Sequence, residues 1–133
     1  MAQPRVNSFP RSHRLSTPTR FAAVYDARAR ETRGPLAFYA LPNDLGHARM
    51  GLSVSRKVGS SPRRHRIKRL LREAYRSARH DLPGSYDLVV VVRPHEPLTL
   101  DEYKSMLIGA VGKLHGHWKR KNGNSGATTD GIP

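Results

Sequence analysis

The chain has 133 residues with 24 Lys and Arg against 10 Asp and Glu, a net charge of +14. This length predicts one domain of roughly 100 ordered residues with tails, and the charge predicts a polyanionic partner that relieves self-repulsion. The absence of cysteine excludes disulfides, thiolate metal ligands and a cysteine nucleophile, and no apolar run approaches the ~20 residues of a membrane span. We therefore expect a soluble, cytoplasmic protein.

Both ends of the chain have the composition of tails. They are rich in polar residues, Gly and Pro and show no sustained apolar period. We predict a disordered basic N-terminal arm over residues 1–13, a folded domain over 14–118 and a disordered C-terminal tail over 119–133.

In the first half of the predicted domain, the sequence pattern predicts one helix followed by two strands. Thr17 and Pro18 have the pattern of an N-cap and a first helical position, and the helix cannot continue past Gly34-Pro35. Side chains at helical spacing follow the cap: Phe21, Val24, Tyr25 and Arg28. Residues 36–41 and 49–55 are rich in β-forming side chains and are separated by turn residues, so they predict two strands. The pattern leaves room for one further short strand.

A second helix, predicted over about 62–80, carries most of the charge. Six side chains of fixed positive charge fall within residues 63–73, together with one acid, Glu73. At about 100° per residue, six side chains form one apolar stripe roughly 140° wide: Ile67, Leu70, Leu71, Ala74, Tyr75 and Ala78. Cations cover the rest of the helix surface. We therefore expect the apolar stripe to pack on a core and the basic face to contact a nucleic acid.

The arrangement of these cations favours a phosphate ligand over a merely solvated helix. Like charges lie four residues apart at Arg64, Lys68 and Arg72, which destabilises the free helix. Arg63 and Arg64 also stand at the N-terminus, where the helix dipole disfavours each cation by about 0.3 to 1 kcal/mol. A phosphate bound near residues 61–66 would reverse that local cost.

The second half continues with a strand and a helix. The run at 86–92 predicts a strand buried on both faces, and the preceding helix favours parallel pairing. Thr99 and Glu102 form a capping box for the last helix. Its predicted buried face comprises Tyr103, Leu107, Ala110, Val111, Leu114 and Trp118. The order from the residues alone is α-β-β-α-β-α.

Two segments resemble a known family. LSVSRKVG at 52–59 and RHRIKRLLREAYR at 64–76 resemble the signature of the bacterial ribonuclease P protein component, in which a Ser-Lys-Lys-type strand end and a Val-Gly turn precede an Arg-Asn-Arg opening. Arg14-Leu15, Phe38-Tyr39 and YDLVVVVRP at 86–94 occur in the family's order, so the resemblance covers residues 14–118.

The resemblance implies an α+β fold of the ribosomal protein S5 domain 2-like type, an αβββαβα sandwich with a left-handed βαβ crossover. The usual preference for right-handed crossovers would predict the opposite hand. It also implies a function: the chain is the protein subunit of the ribonuclease P ribonucleoprotein, which removes the 5′ leader from precursor tRNA by endonucleolytic cleavage. The RNA subunit, paired 1:1 with the protein, would perform hydrolysis with bound Mg²⁺, so no catalytic residue or metal site is expected in the polypeptide.

The resemblance assigns roles to two groups of residues. The RNA-subunit-binding group comprises Arg56, Lys57, Arg63, Arg64, His65, Arg66, Lys68, Arg69, Arg72 and Arg76. The leader-binding group comprises Phe21, Tyr25, Tyr39, Ser53 and Ser55, whose aromatic rings suit a leader of variable sequence because every base has a face on which to stack. Packing in the core is the alternative for Phe21 and Tyr25.

The sequence departs from the family pattern in one residue and in one loop. His65 replaces the Asn of Arg-Asn-Arg and gains charge in mild acid, which would strengthen RNA contact there. Ser60, Ser61 and Pro62 replace an Asn-Ala-Val-type loop, which removes support for a metal-associated contact.

Three other functions are weighed against this one. A nuclease site in the polypeptide could use His115 and His117, but the carboxylates form no cluster for two-metal hydrolysis, and Asp101 and Glu102 are explained by helix capping. A ribosomal or rRNA-binding structural protein could share the fold. A DNA-binding regulator would need base-reading Asn or Gln on the basic helix, which has neither.

Overall fold

The computed structural model describes the backbone of residues 11–127 and the side chains of residues 12–121. This part of the chain contains three α-helices, α1 Pro18–Asp26, α2 Ser61–Ala78 and α3 Leu100–Ala127, and four strands, β1 Arg30–Arg33, β2 Leu36–Pro42, β3 Arg49–Val54 and β4 Tyr86–Val92. Short 3₁₀ turns lie at Arg11–His13, Arg56–Val58 and Arg79–Asp81. The predicted elements are all present, and β1 is the further short strand.

The four strands form one mixed sheet in the order β1-β2-β4-β3. Strand β2 is antiparallel to both β1 and β4, whereas β3 and β4 are parallel and are joined through α2. The predicted parallel pairing is therefore confirmed. Strands β2 and β3 follow each other in the chain but do not pair, because β4 lies between them.

The main core lies between one face of the sheet and helices α2 and α3. The predicted stripe of α2 faces it, with Ile67, Leu71, Ala74, Tyr75 and Ala78 buried and Leu70 partly buried. All six residues predicted for the buried face of α3 are also buried. The capping box is confirmed, since the Thr99 backbone N–H donates to Glu102 Oε1 at 3.0 Å and the Glu102 N–H donates to Thr99 Oγ1 at 3.1 Å.

Helix α1 is shorter than the sequence predicts. It ends at Asp26, and Arg28 adopts a left-handed conformation with φ +58° that turns the chain into β1. This conformation costs a residue with a side chain roughly 1–2 kcal/mol. The backbone N–H of Arg28 donates to the Tyr25 carbonyl at 3.0 Å, and β1 then pairs with β2 through a two-residue loop at Gly34-Pro35. The predicted breaker therefore closes a hairpin instead of ending the helix.

Both ends of the described chain contain secondary structure outside the predicted domain of residues 14–118. Residues 11–13, assigned to the arm, form a 3₁₀ turn that is held to α2, because His13 Nδ1 and the Tyr75 hydroxyl lie 2.7 Å apart. Helix α3 continues to Ala127, beyond the predicted end of the domain at residue 118. The remaining parts of the arm and tail, residues 1–10 and 128–133, lie outside the described residues. None of the helices described is long and apolar enough to cross a membrane.

Candidate nucleic-acid interface

Helix α2 and the 3₁₀ turn before it form a basic surface. The basic surface is defined by ten residues: Arg56, Lys57, Arg63, Arg64, His65, Arg66, Lys68, Arg69, Arg72 and Arg76. The helix starts at a Ser60 cap, whose Oγ accepts from the Arg63 backbone N–H at 3.4 Å. His65, Arg66, Arg69 and Arg72 are exposed, whereas Arg63, Arg64, Lys68 and Arg76 are half-buried. The helix carries a single acid, Glu73, so most of this charge is not neutralised on the helix itself.

The first turn of α2 holds its arginines in place. Arg64 donates from Nε to the Gly59 carbonyl at 3.2 Å and from Nη2 to Ser61 Oγ at 3.1 Å. Arg63 forms an exposed salt bridge of 3.2 Å with Glu96. These contacts orient two guanidinium groups beside the helix N-terminus, where an anion is favoured by the helix dipole.

Further cations flank the helix. Arg56 and Lys57 lie exposed in the 3₁₀ turn that follows β3, and this turn packs against α2. Partial desolvation and the nearby charge of Arg14 lower the pKa of Arg72. Like charges are thus brought together on this side of the fold, and a phosphate backbone relieves their repulsion.

An aromatic cleft lies on the opposite face of the sheet, under α1. We define it by Phe21, Tyr25, Tyr39 and Ser53. The Tyr25 and Tyr39 rings meet edge to face with centroids 5.0 Å apart, and Phe21 lies 6.5 Å from Tyr25. All three rings are partly exposed, and an open cavity of about 500 Å³ is lined by Phe21, Tyr25 and Ser53. The three rings pack against a small buried cluster that includes Val24 and Val89, and each keeps part of its surface exposed.

The cleft depends on Gly51, a residue that no sequence pattern marks as functional. A Cβ on Gly51 would lie 2.4 Å from Phe21 Cζ and 2.7 Å from the Leu15 carbonyl oxygen. The Phe21 ring therefore rests directly on the backbone of β3. Gly51, Val89 and Tyr39 are register partners on adjacent strands, so the floor of the cleft is one row across the sheet.

The two serines assigned to the leader occupy different places. Ser53 lines the cavity and is partly buried. Ser55 is exposed beyond the end of β3, where its carbonyl accepts from the Val58 N–H at 3.1 Å. Ser55 is not among the residues that line the cleft. It stands between the cleft and Arg56, so the basic surface begins where β3 leaves the cleft.

A buried carboxylate, Asp87, fixes the floor of the cleft, and in the sequence it is marked only as part of the predicted strand at 86–92. Asp87 is fully buried and accepts hydrogen bonds from Arg49 Nε and Nη2 at 2.8 and 2.7 Å, from Asn43 at 2.8 Å and from Arg20 Nε at 3.0 Å. Burial alone would raise its pKa, but the hydrogen bonds from Arg49, Arg20 and Asn43 outweigh burial and lower it. The network ties α1 to β3 and β4.

The candidate residues for polypeptide catalysis lie apart from both surfaces. His115 Nδ1 lies 2.8 Å from the Tyr86 hydroxyl, and Glu102 caps α3. Within the described residues, no group of three His, Asp or Glu side chains could hold a metal ion. The basic surface and the aromatic cleft present cations and aromatic rings, which are groups that bind phosphates and bases.

Comparison with known proteins identifies relatives along most of the chain. A family model described as ribonuclease P matches residues 9–115. The chain is 40% identical over 111 residues to the ribonuclease P protein component of Methylococcus capsulatus, covering 83% of this chain and 81% of that protein. It is also 40% identical over 114 residues to the component from Photorhabdus laumondii, covering 85% and 90%.

Solved structures show the same fold. The RNase P protein of Staphylococcus aureus matches with a TM-score of 0.65 and 24% identity, covering 75% of this chain and 93% of that one. The RNase P protein of Thermotoga maritima matches with a TM-score of 0.66 and 25% identity, covering 72% and 94%. On the family match and the extent of the sequence identity, this chain belongs to the ribonuclease P protein component family.

Proposed function

We propose that the basic surface binds the catalytic RNA of ribonuclease P and that the aromatic cleft binds the 5′ leader of precursor tRNA. Family membership supplies the RNA partnership and the role in tRNA processing. We assign binding of the RNA subunit to one face of the sheet and binding of the leader to the opposite face. The observation that carries this assignment is a helix with many cations and a single acid on one face of the sheet, together with three partly exposed rings on the opposite face.

The basic surface suits a large folded RNA. Its cations spread over one helix and the adjoining 3₁₀ turn, so they can contact several phosphates at once. Phosphate contacts of this kind set the position of a protein on a nucleic acid without reading its sequence. His65 lies exposed in the first turns of α2, among these cations.

The aromatic cleft suits a single strand of variable sequence. Each base stacked on an aromatic ring contributes roughly 1–3 kcal/mol, whichever base it is. A folded tRNA body, whose bases are already paired and stacked, gains nothing from such a site. The cleft therefore discriminates precursor from mature tRNA.

The proposal includes an RNA active site. We assign hydrolysis and its Mg²⁺ to the RNA subunit, and the support for this assignment is the resemblance to the ribonuclease P protein family. One protein per RNA, action in the cytoplasm, and the ribosomal protein S5 domain 2-like class with a left-handed crossover belong to the same proposal, and the family resemblance supports them. Family membership favours this function over the ribosomal and DNA-binding alternatives.

The test replaces the two rings that touch each other. Changing Tyr25 and Tyr39 to Ala should weaken binding of precursor tRNA by the holoenzyme by about tenfold or more, since up to two stacking contacts are lost. Affinity for mature tRNA should stay the same. Equal losses for both RNAs would contradict the assignment of the cleft. Phe38, buried on the other face of β2, is unsuitable as a control, whereas the exposed Leu45 is a neutral site for a matched Ala variant.

A further inference from the structure

A second basic site adjoins the far end of the aromatic cleft, at the free edge of the sheet. A cavity of about 480 Å³ is lined by Tyr25, Tyr39, Arg28 and Arg30. A further cavity of about 240 Å³ continues from the same two arginines around strand β1 onto helix α3. On α3 it is lined by Lys113, Leu114, His117 and Arg120. We call this second cavity the edge cavity.

The sheet register places three cavities on one path: the cavity of the cleft beside Phe21, the cavity beside Tyr39 and the edge cavity. Arg30 is the register partner of Tyr39, Tyr39 that of Val89, and Val89 that of Gly51. Side chains of register partners point to the same face, so Arg30 extends the row that forms the floor of the cleft. The path crosses the strands from β3 to β1 and leaves the sheet at β1, which has no further strand beside it among the described residues.

The charge along this path changes from neutral to strongly positive. Arg28, Arg30, Lys113 and Arg120 are all exposed. Within the described side chains none of the four forms a salt bridge. The one acid lining the edge cavity, Glu31, already accepts from Arg33 Nε at 3.1 Å. Four cations therefore face solvent with little local neutralisation.

The conformation of Arg28 is a second, independent observation. It is the one residue other than glycine with a positive φ in the described chain, at a turn where glycine fits without strain. A strained arginine between the cleft and the edge cavity points to a role for its guanidinium group rather than its backbone.

We propose that the edge cavity binds the phosphates of the distal part of the 5′ leader, after the strand has passed over Tyr25 and Tyr39. This inference rests on the proposed function of the cleft. The other end of the cleft, at Ser53, adjoins the basic surface assigned to the catalytic RNA, so the end at Arg30 is the exit that remains for the strand. Long leaders thus gain an electrostatic contact that short leaders cannot reach.

The expected size of the effect follows from counterion release. Each phosphate contact on a single strand contributes about 0.7 to the slope of log affinity against log salt, so losing Lys113 and Arg120 should reduce that slope by about 1.4. Relative to 1 M salt this corresponds to about a tenfold loss of affinity at ~0.15 M salt. The loss should appear only with leaders long enough to reach the edge cavity.

The experiment measures binding of precursor tRNAs to reconstituted holoenzyme, with leaders of about 5 and about 15 nucleotides, which span the usual range of single-strand site sizes. The variant Lys113→Ala/Arg120→Ala should bind the long leader about tenfold more weakly and the short leader normally. The matched control is Lys104→Ala/Lys119→Ala, which removes the same charge from other faces of α3. A further variant, Arg28→Gly, should keep the melting temperature and lose affinity for the long leader.

The outcomes separate this inference from the proposal on which it rests. Loss of affinity for both leaders alike would overturn it, because the cations would then contact the RNA subunit or the tRNA body. An unchanged affinity for the long leader, or an equal loss in the control, would overturn it as well. If Tyr25→Ala/Tyr39→Ala still lowers the affinity for the short leader in these cases, only the role of the edge cavity is refuted. If that double variant leaves the affinity unchanged, the function proposed for the cleft is refuted.

Discussion

Replacing Asp87 with Asn removes the anion that joins α1, β3 and β4. Asp87 is fully buried and accepts from Arg49, Arg20 and Asn43, so the variant leaves two arginines without their acid. Breaking a buried pair costs about 3–5 kcal/mol when the remaining charge stays buried. Here 37% of the Arg20 side chain and 24% of the Arg49 side chain are exposed, so water can partly solvate the arginines. We expect a loss of about 2–3 kcal/mol in the free energy of unfolding.

Urea denaturation of wild type and Asp87→Asn provides the measurement. Because the pKa of Asp87 is lowered in the folded protein, its stabilisation is fully present above the ordinary value of 3.8 and is lost as the pH falls through the lower folded value. The difference between the two proteins should therefore stay constant from about pH 7 to pH 5 and shrink in stronger acid. A loss below about 1 kcal/mol, or a difference that grows on acidification, would refute the reasoning.

Three further predictions follow from the site and its surroundings. Gly51→Ala should lower stability by about 1–3 kcal/mol and weaken leader binding, since its Cβ displaces Phe21, whereas Gly112→Ala on α3, with open space around it, should be neutral or stabilising in the same denaturation assay. Burial and the charges of His47, Arg79 and His80 lower the pKa of His13, so stability should fall below about pH 6.5; if His13→Asn leaves that pH dependence unchanged, another group is responsible. A third variant changes three cations of α2, Arg64, Arg66 and Arg69, to Ala. This variant should reduce the slope of log affinity against log salt for binding to the RNA subunit by about 2 to 3. Titrations that show an unchanged slope would exclude these side chains as phosphate contacts.

Local signals in the sequence were sufficient for most of the fold. The cap at Thr17, the capping box at Thr99 and the apolar stripe of α2 each depend on residues within one or two turns of each other, so spacing alone identifies them. The early end of α1 depends instead on pairing between β1 and β2. The pairing competes with helix extension only once the strands meet, so helical spacing through Arg28 was misleading.

The site was predicted only in part, because some of its contacts join residues that are far apart in the sequence. The cations of α2 are contiguous in the sequence, and the cleft residues came from the family resemblance. Asp87 was missed because its partners lie 67, 44 and 38 residues away. An acid within an otherwise apolar strand, in a chain rich in arginine, is a signal that could have identified it, since a buried carboxylate needs charged partners. No comparable signal marks Gly51, whose role depends on where Phe21 comes to rest.

The central position of β4 has a consequence for synthesis on the ribosome. Strands β2 and β3 leave the exit tunnel first, and each pairs with β4, which is made about 30 residues after β3. Until residue 92 has emerged, a nascent chain can form the β1–β2 hairpin and α2 but cannot complete the sheet. The floor beneath the aromatic rings is therefore assembled late, and truncated chains that stop before β4 should leave two unpaired strand edges open to aggregation.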